Sequence, residues 1–255
     1  MITDYNLNES IKNLKEKFNE VKNMGYVKGI KQKSQGNSGL TFEKLIGKEN
    51  DNFQIADYDG IEIKVKNNFG YRYLQLFSLV PSNSFGVELK RLRNTYGEYD
   101  NHFKNVKILI KSVFANKMSF LDTGYWAKLE IKYSEKRIYL LIYDRKKRLI
   151  EKNIYWDFDE IIGMVNRKLK TLAIVKYDKK TIGKDDYFKY NEMNFYKLKD
   201  INTFFNLIEE GLIRIYFCLS VYKSGPKIGR EHDHGVVFGI KEYDLLKLYD
   251  KYDSE

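Results

Sequence analysis

The stretch LIRIYFCLSVY, residues 212–222, constrains the fold more than any other part of the sequence. Its branched and aromatic side chains read as a long buried strand. GVVFGI (235–240) is its expected antiparallel partner, which leaves 223–234 as the connecting loop. Such a hairpin needs a sheet around it, and further strand patterns supply one. DGIEIKVK places Ile61, Ile63 and Val65 on one face and Glu62, Lys64 and Lys66 on the other. YLQLFSLV (73–80) is a second strand, ended by Pro81, and more are expected at 106–113, 125–133 and 137–143. Helical spacing of Ile11, Leu14, Phe18 and Val21 predicts a helix over 7–23, capped by Asn8 or Ser10. Other helices are expected at 40–46, at 157–171 behind Asp157, at 200–210 behind Asp200 or Asn202, and at 241–251. Strands and helices mixed without strict βαβ alternation predict an α+β (mixed α/β) fold.

Composition narrows the classes. A chain of 255 residues can bury a core without metal or disulfide, and its one cysteine, Cys218, cannot form an internal disulfide. That pattern suits a reducing compartment, and a cytoplasmic location is expected. No apolar run approaches a membrane span, and MITDYNLNESIKNLKEKF lacks a signal-peptide core, so no membrane partner is expected. The net charge of +10 is uneven: residues 71–150 carry 16 basic and 7 acidic side chains, whereas residues 201–255 carry 7 and 9. Such a block is the footprint of a polyanion binder. A Lys-rich, A·T-biased genome is the other source of such a charge.

The chemistry concentrates in GNSGLTFEKLIGKENDNFQIADYDGIEIKVK, residues 36–66. Asp57 precedes the turn Tyr58-Asp59-Gly60, and Glu62 and Lys64 follow on one face of a strand. This spacing can bring two carboxylates and an ammonium to one point, the set that phosphodiester cleavage needs. The carboxylates of Asp57 and Glu62, with the Ile63 carbonyl, would hold Mg²⁺. Lys64 would orient the attacking water. Asp59 competes with Asp57 for the first position, although Asp59-Gly60 is also good turn chemistry.

GNSGLTFEKLIG followed by ADYDGIEIKVK resembles the Gly-rich helix and the Asp…Gly-Ile-Glu-Leu-Lys strand of the MutH-like branch of the PD-(D/E)xK nucleases. The short gap between Asp57 and Glu62 is closer to the MvaI/BcnI restriction endonucleases than to MutH itself. REHDHGVVFGIKEYDLLKLYDKY resembles the same family's C-terminal strand and Leu-rich helix, and SGPKIG its recognition segment. The resemblance covers 36–66 and 212–251, with nothing specific between 80 and 200. It implies a catalytic set of Asp57, Glu62 and Lys64, with Glu43 as an accessory carboxylate. Ala56 stands where the superfamily usually has Pro. The implied fold is a restriction-endonuclease-like core, a mixed sheet flanked by helices, elaborated into a two-lobed DNA clamp. One endonuclease domain over 1–255 would hold catalytic elements at 36–80, a DNA-gripping region at 81–150 and recognition elements at 212–251.

The loop 223–234 carries Lys223, Lys227, Arg230, His232 and His234. Lys and Arg can read guanine and His can meet base edges, and the resemblance implies His232 or His234 near the target bases. The same loop could be a solvated turn, and His232-Asp233-His234 could be a metal ligand set. Arg91 and Arg93, in the run 90–96, and the cluster 145–148 are candidate phosphate contacts. The implied activity is type II restriction: Mg²⁺-dependent hydrolysis of double-stranded DNA that leaves 5′-phosphate ends. The resemblance further implies a monomer that cuts one strand at a time, CCNGG-like targets and a cognate DNA methyltransferase that protects the host. A MutH-like nickase of mismatch repair and a non-catalytic DNA-binding protein on the same fold are the alternatives.

Overall fold

The computed structural model describes residues 6–31, 36–48, 56–67, 72–84 and 87–252. The chain forms two compact units. One comprises Met1–Tyr71, Val165–Lys199 and Tyr249–Glu255, and the other Arg72–Met164 and Asp200–Leu248.

In the first unit, α1 (Leu7–Asn23) starts where expected, but Asn6 is its N-cap and its side chain accepts from the Glu9 N–H. A short strand, β1 (Tyr26–Lys28), follows. Helix α2 (Asn37–Leu45) begins three residues earlier than the apolar pattern suggested, behind Gly36 in the left-handed region. Strand β2 (Ile61–Asn67) then forms as its alternation predicts. Numbered along the whole chain, the unit's other strands are β10 (Thr171–Ile182), β11 (Asp185–Leu198) and β14 (Tyr249–Tyr252). The sheet order is β1-β11-β10-β2, with β14 also paired to β11. All pairs are antiparallel except β10 with β2, which run parallel. Ile61 and Ile63 of β2, Ala173 and Val175 of β10, and Phe188, Tyr190 and Phe195 of β11 face Ile11, Leu14, Phe18, Val21, Phe42 and Ile46 of the helical layer. Burying such side chains contributes about 1.5–3 kcal/mol each. The odd residues of β2 thus anchor it, and the even ones face the other way.

The second unit holds two antiparallel sheets. One has the order β3-β13-β12-β5-β4, built from β3 (Tyr73–Ser78), β4 (Glu98–Tyr99), β5 (Lys107–Val113), β12 (Ile213–Val221) and β13 (Glu231–Lys241). The other is the meander β6 (Ser119–Leu121), β7 (Tyr125–Lys132), β8 (Arg137–Tyr143) and β9 (Leu149–Asp157). Helices α3 (Glu88–Tyr96), α5 (Ile201–Glu209) and α6 (Leu245–Leu248) complete it, and α4 (Phe158–Lys168) carries the chain out of it. Strand β12 alternates strictly, with Ile213, Ile215, Phe217, Leu219 and Val221 buried. Phe238 of β13 stacks on Phe77 at 4.8 Å and meets Trp156 edge-on. The Trp156 indole N–H donates to the Leu79 carbonyl at 3.0 Å.

Three expectations need correction. The helix expected over 157–171 ends at Lys168, because Thr171 onward pairs with both β2 and β11. The helix expected over 241–251 is only a 3-10 turn and the four residues of α6. Tyr249–Tyr252 pair with β11, which satisfies their backbone groups as a strand instead. The loop expected over 223–234 is shorter, since Glu231–His234 belong to β13. Phe217 pairs with Val236 but Leu219 with Asp233, so β13 carries one extra residue, absorbed as a bulge at Gly235 with φ +79°.

Next to this hairpin, the buried Asp100 carboxylate accepts from the N–H groups of His102 and Phe103 at 2.9 and 3.0 Å and pairs with Lys223. Lys223, and then these N–H groups, hold Asp100 down at about 2. Among the described residues no helix is long and apolar enough to cross a membrane. Because Asp100 is depressed on folding, its contribution is complete above the ordinary carboxylate range and fades as pH falls toward 2. Asp100→Asn should therefore lower the urea midpoint at pH 7, and the gap to wild type should narrow at pH 3.

Candidate active site

The site is built on the outer edge of β2. Tyr58 and Ile61 exchange both backbone hydrogen bonds, at 2.9 and 2.7 Å, around Asp59 and Gly60. Both turn residues have positive φ, 40° and 84°, the two-residue reversal that Asp-Gly favours. This tight turn folds Asp57 back along β2, where its Oδ2 accepts the Ile63 N–H at 2.9 Å. Asp59 is exposed in the turn, and Asp57 is the residue brought to the strand. The N–H and C=O of one strand residue leave by the same edge. The Ile63 carbonyl therefore lies on the Asp57 side of β2, away from β10.

Glu62 and Lys64 share the face of β2 opposite the helical core, and Lys64 Nζ donates to Glu62 Oε1 at 2.6 Å. Glu62 is only 2% exposed, and among the described residues nothing donates a hydrogen bond to its Oε2. Two groups absent from the sequence expectations stand beside it. Lys168, at the end of α4, places Nζ 3.5 Å from Oε2. Tyr249 is buried with an unpartnered hydroxyl, and burial followed by the Glu62 charge pushes its phenol well above the ordinary tyrosine range. Lys48 is a third addition, its Nζ 2.5 Å from Asp57 Oδ1. The parallel register of Leu172 with Glu62 explains Lys168: it puts the end of α4 level with the site. Nothing local in the sequence ties position 168 to position 62.

Glu43 projects from α2 into the same field. Burial pushes its carboxyl up, the Asp57 and Glu62 charges push it further, and Lys48 and Lys64 oppose the shift. Carboxylates that repel one another are the environment a cation relieves. Among the described residues no three His, Cys, Asp or Glu side chains form a ready-made metal cluster. The donor set is two carboxylates and a main-chain carbonyl, all hard oxygens. The undonated Oε2 of Glu62 and the carbonyl on the Asp57 edge fit a small divalent ion that keeps most of its waters.

The expected recognition residues lie in the second unit. His232 stacks on Tyr222 at 3.8 Å, and His234 sits 3.9 Å from His232, centroid to centroid. Lys223 is paired with Asp100, Lys227 lies over the Tyr222 ring, and Arg230 is exposed. Arg93, expected on a phosphate-facing surface, is fully buried instead. It grips Asp233 at 2.6 and 2.8 Å and Glu231 at 2.6 Å, from the side of the hairpin opposite His232. Its charge is spent on holding β13 because those two acids alternate inward along the strand. Arg91 is likewise engaged, with Glu88 at 2.5 Å and with Glu151. The 145–148 cluster forms the β8–β9 turn, organised by Asp144, which accepts from the Lys146 and Arg148 N–H groups.

The chain resembles two solved structures. One is the restriction endonuclease MvaI–cognate DNA substrate complex, with a TM-score of 0.88 and 30% identity over 96% of this chain and 98% of that one. The other is MvaI in the absence of DNA, with a TM-score of 0.59 and 31% identity over 96% and 97%. A search of curated proteins finds no match. A family model, that of the MvaI/BcnI restriction endonucleases, matches residues 15–249. The mixed fold, the acid–acid–lysine edge of β2 and this match agree, and the chain belongs to the MvaI/BcnI restriction endonuclease family.

Proposed function

We propose that this site-specific endonuclease hydrolyses double-stranded DNA through Asp57, Glu62 and Lys64, with Mg²⁺ as its divalent ion, and leaves 5′-phosphate ends. The observation that carries the reading is the geometry of β2. One turn and one strand bring the Asp57 carboxylate to the Ile63 N–H on the edge of β2, with Glu62 hydrogen-bonded to Lys64 on the adjoining face. Asp57, Glu62 and the Ile63 carbonyl would hold the ion. When bound, it would neutralise charge on the scissile phosphate and acidify a water.

The remaining work belongs to the chain's own groups. Lys64, at 22% exposure, is accessible enough to meet a water and is fixed by Glu62. Its ammonium orients the nucleophile and faces the growing negative charge on the phosphate. The Ile63 N–H holds Asp57 in one rotamer, so its carboxylate needs little reorganisation. Lys48 beside Asp57 and Lys168 beside Glu62 offset the charge of these largely buried carboxylates. Glu43 adds a third acid, which a cation would draw into its charged form.

Specificity is assigned to the β12–β13 hairpin, with His232 and His234 at base edges and Lys227 and Arg230 as the cations beside them. Lys223 is placed at the margin, since Asp100 already holds it. We further propose action as a monomer in the cytoplasm, with a DNA methyltransferase that protects host sites.

Lys64→Ala should still bind duplex DNA but cut it at least about 100-fold more slowly. Gel shift and plasmid cleavage on the same preparation test this, and undiminished cutting removes Lys64 from the mechanism. Glu43→Gln should behave differently from a purely structural change. Because folding raises the Glu43 carboxyl, stability falls as pH rises from the ordinary carboxylate range through the raised folded value, above which the loss is complete. The variant should melt higher than wild type at pH 8 and equal to it at pH 4, while cutting more slowly at both. A lower melting temperature at pH 8 contradicts the assignment of Glu43 to this acid cluster.

A further inference from the structure

The even residues of β12 face away from the core of the second unit, and Arg214 is among them. Its guanidinium packs against two phenol rings, 3.5 Å from the Tyr73 centroid and 4.6 Å from that of Tyr216. Among the described residues its one hydrogen-bond acceptor is Ser112 Oγ, at 2.6 Å, and its Nε is buried without a partner. Among the described residues no carboxylate pairs with it. Arg91, Arg93, Arg137 and Arg148 each have one. A half-buried guanidinium without an anion is costly, and burial indeed pulls Arg214 below the usual arginine range. Lys241 lies over the same Tyr73 ring at 5.8 Å, so a second cation adds to the field.

Rings packed against the guanidinium leave it the N–H edge beyond Ser112 to bind with. That edge is a planar fork of donors, which suits a phosphate. The even face of β12 is also the face of the proposed base readers: Ser220 is the register partner of His232. Six residues separate Arg214 from Ser220, or about 20 Å along a strand, too far to serve the same base pair.

We propose that Arg214, packed against Tyr73 and Tyr216, binds a backbone phosphate of the DNA duplex outside the bases read by His232 and His234. This rests on the DNA-cutting reading above. The contact fixes register and grip rather than sequence.

The test is equilibrium binding of a fluorescent duplex in a Lys64→Ala background, which keeps the DNA intact, between 50 and 200 mM salt. Adding Arg214→Ala should weaken binding about tenfold and lower the slope of log affinity against log salt by about one. Arg214→Lys should restore most of the slope, because a phosphate accepts a point charge. Arg214→Gln keeps the length of the side chain without its charge, and should match Arg214→Ala while melting like the parent. Cutting-competent Arg214→Ala should yield the same fragment ends as wild type. An unchanged salt slope in both uncharged variants overturns the proposal, as does a changed set of fragment ends. If the Lys64→Ala parent itself fails to bind duplex DNA, the DNA-cutting reading falls, and the proposal with it.

Discussion

The Asp57 carboxylate on the Ile63 N–H is the contact on which the candidate site depends. Among the described residues strand β2 ends its sheet, with β10 as its one neighbouring strand. An edge of that kind usually meets water or another chain. Here the Asp59-Gly60 reversal brings a carboxylate to one of its donors, at 2.9 Å. One hydrogen bond thereby satisfies an edge amide, fixes an acid and sets the Ile63 carbonyl beside it. Glu62 and Lys64 need no loop at all, since the pleat aims them. The site is stiff because it is made of sheet, and the sheet is stiff because Ile61 and Ile63 are packed, among the described residues, with eleven other buried core residues.

Charge balance follows from that crowding. Asp57, Glu62 and Glu43 share a small volume with Lys48, Lys64 and Lys168. Buried acids need compensation, and ammonium groups supply it. Lysine suits the role because its point charge can exchange partners as a cation and a phosphate arrive, whereas a bidentate arginine would hold the carboxylate. Arginine serves the opposite purpose in the second unit. Arg93 clamps Asp233 and Glu231 in two directions and fixes the hairpin that bears His232 and His234.

Much of this was legible in the sequence. The alternation of IEIKVK carried the strand, its buried face and the Glu62–Lys64 pair, because a period of two is local information. The Asp59-Gly60 turn was readable for the same reason. Lys168 and Tyr249 were not, since their place depends on the β2–β10 register and on a closing strand that pairs far back in the chain. The C-terminal YDKY looked helical because leucines precede it at helical spacing. Only its pairing with β11 makes it a strand. Arg93 was misjudged for a related reason: KRLR reads as a basic surface, and its burial is set by acids about 140 residues later. The hairpin loop is shorter than the sequence pattern suggests because a bulge at Gly235 disguises the alternation of Glu231–His234.

Sequencing the ends of DNA fragments made by the wild type and by Asp57→Asn, in Mg²⁺ and at matched melting temperature, tests the central claim most directly. The account predicts that wild-type ends fall at one short motif and carry 5′-phosphates. It also predicts that Asp57→Asn leaves the DNA essentially uncut. Cutting by Asp57→Asn at the same motif and the same rate would contradict it.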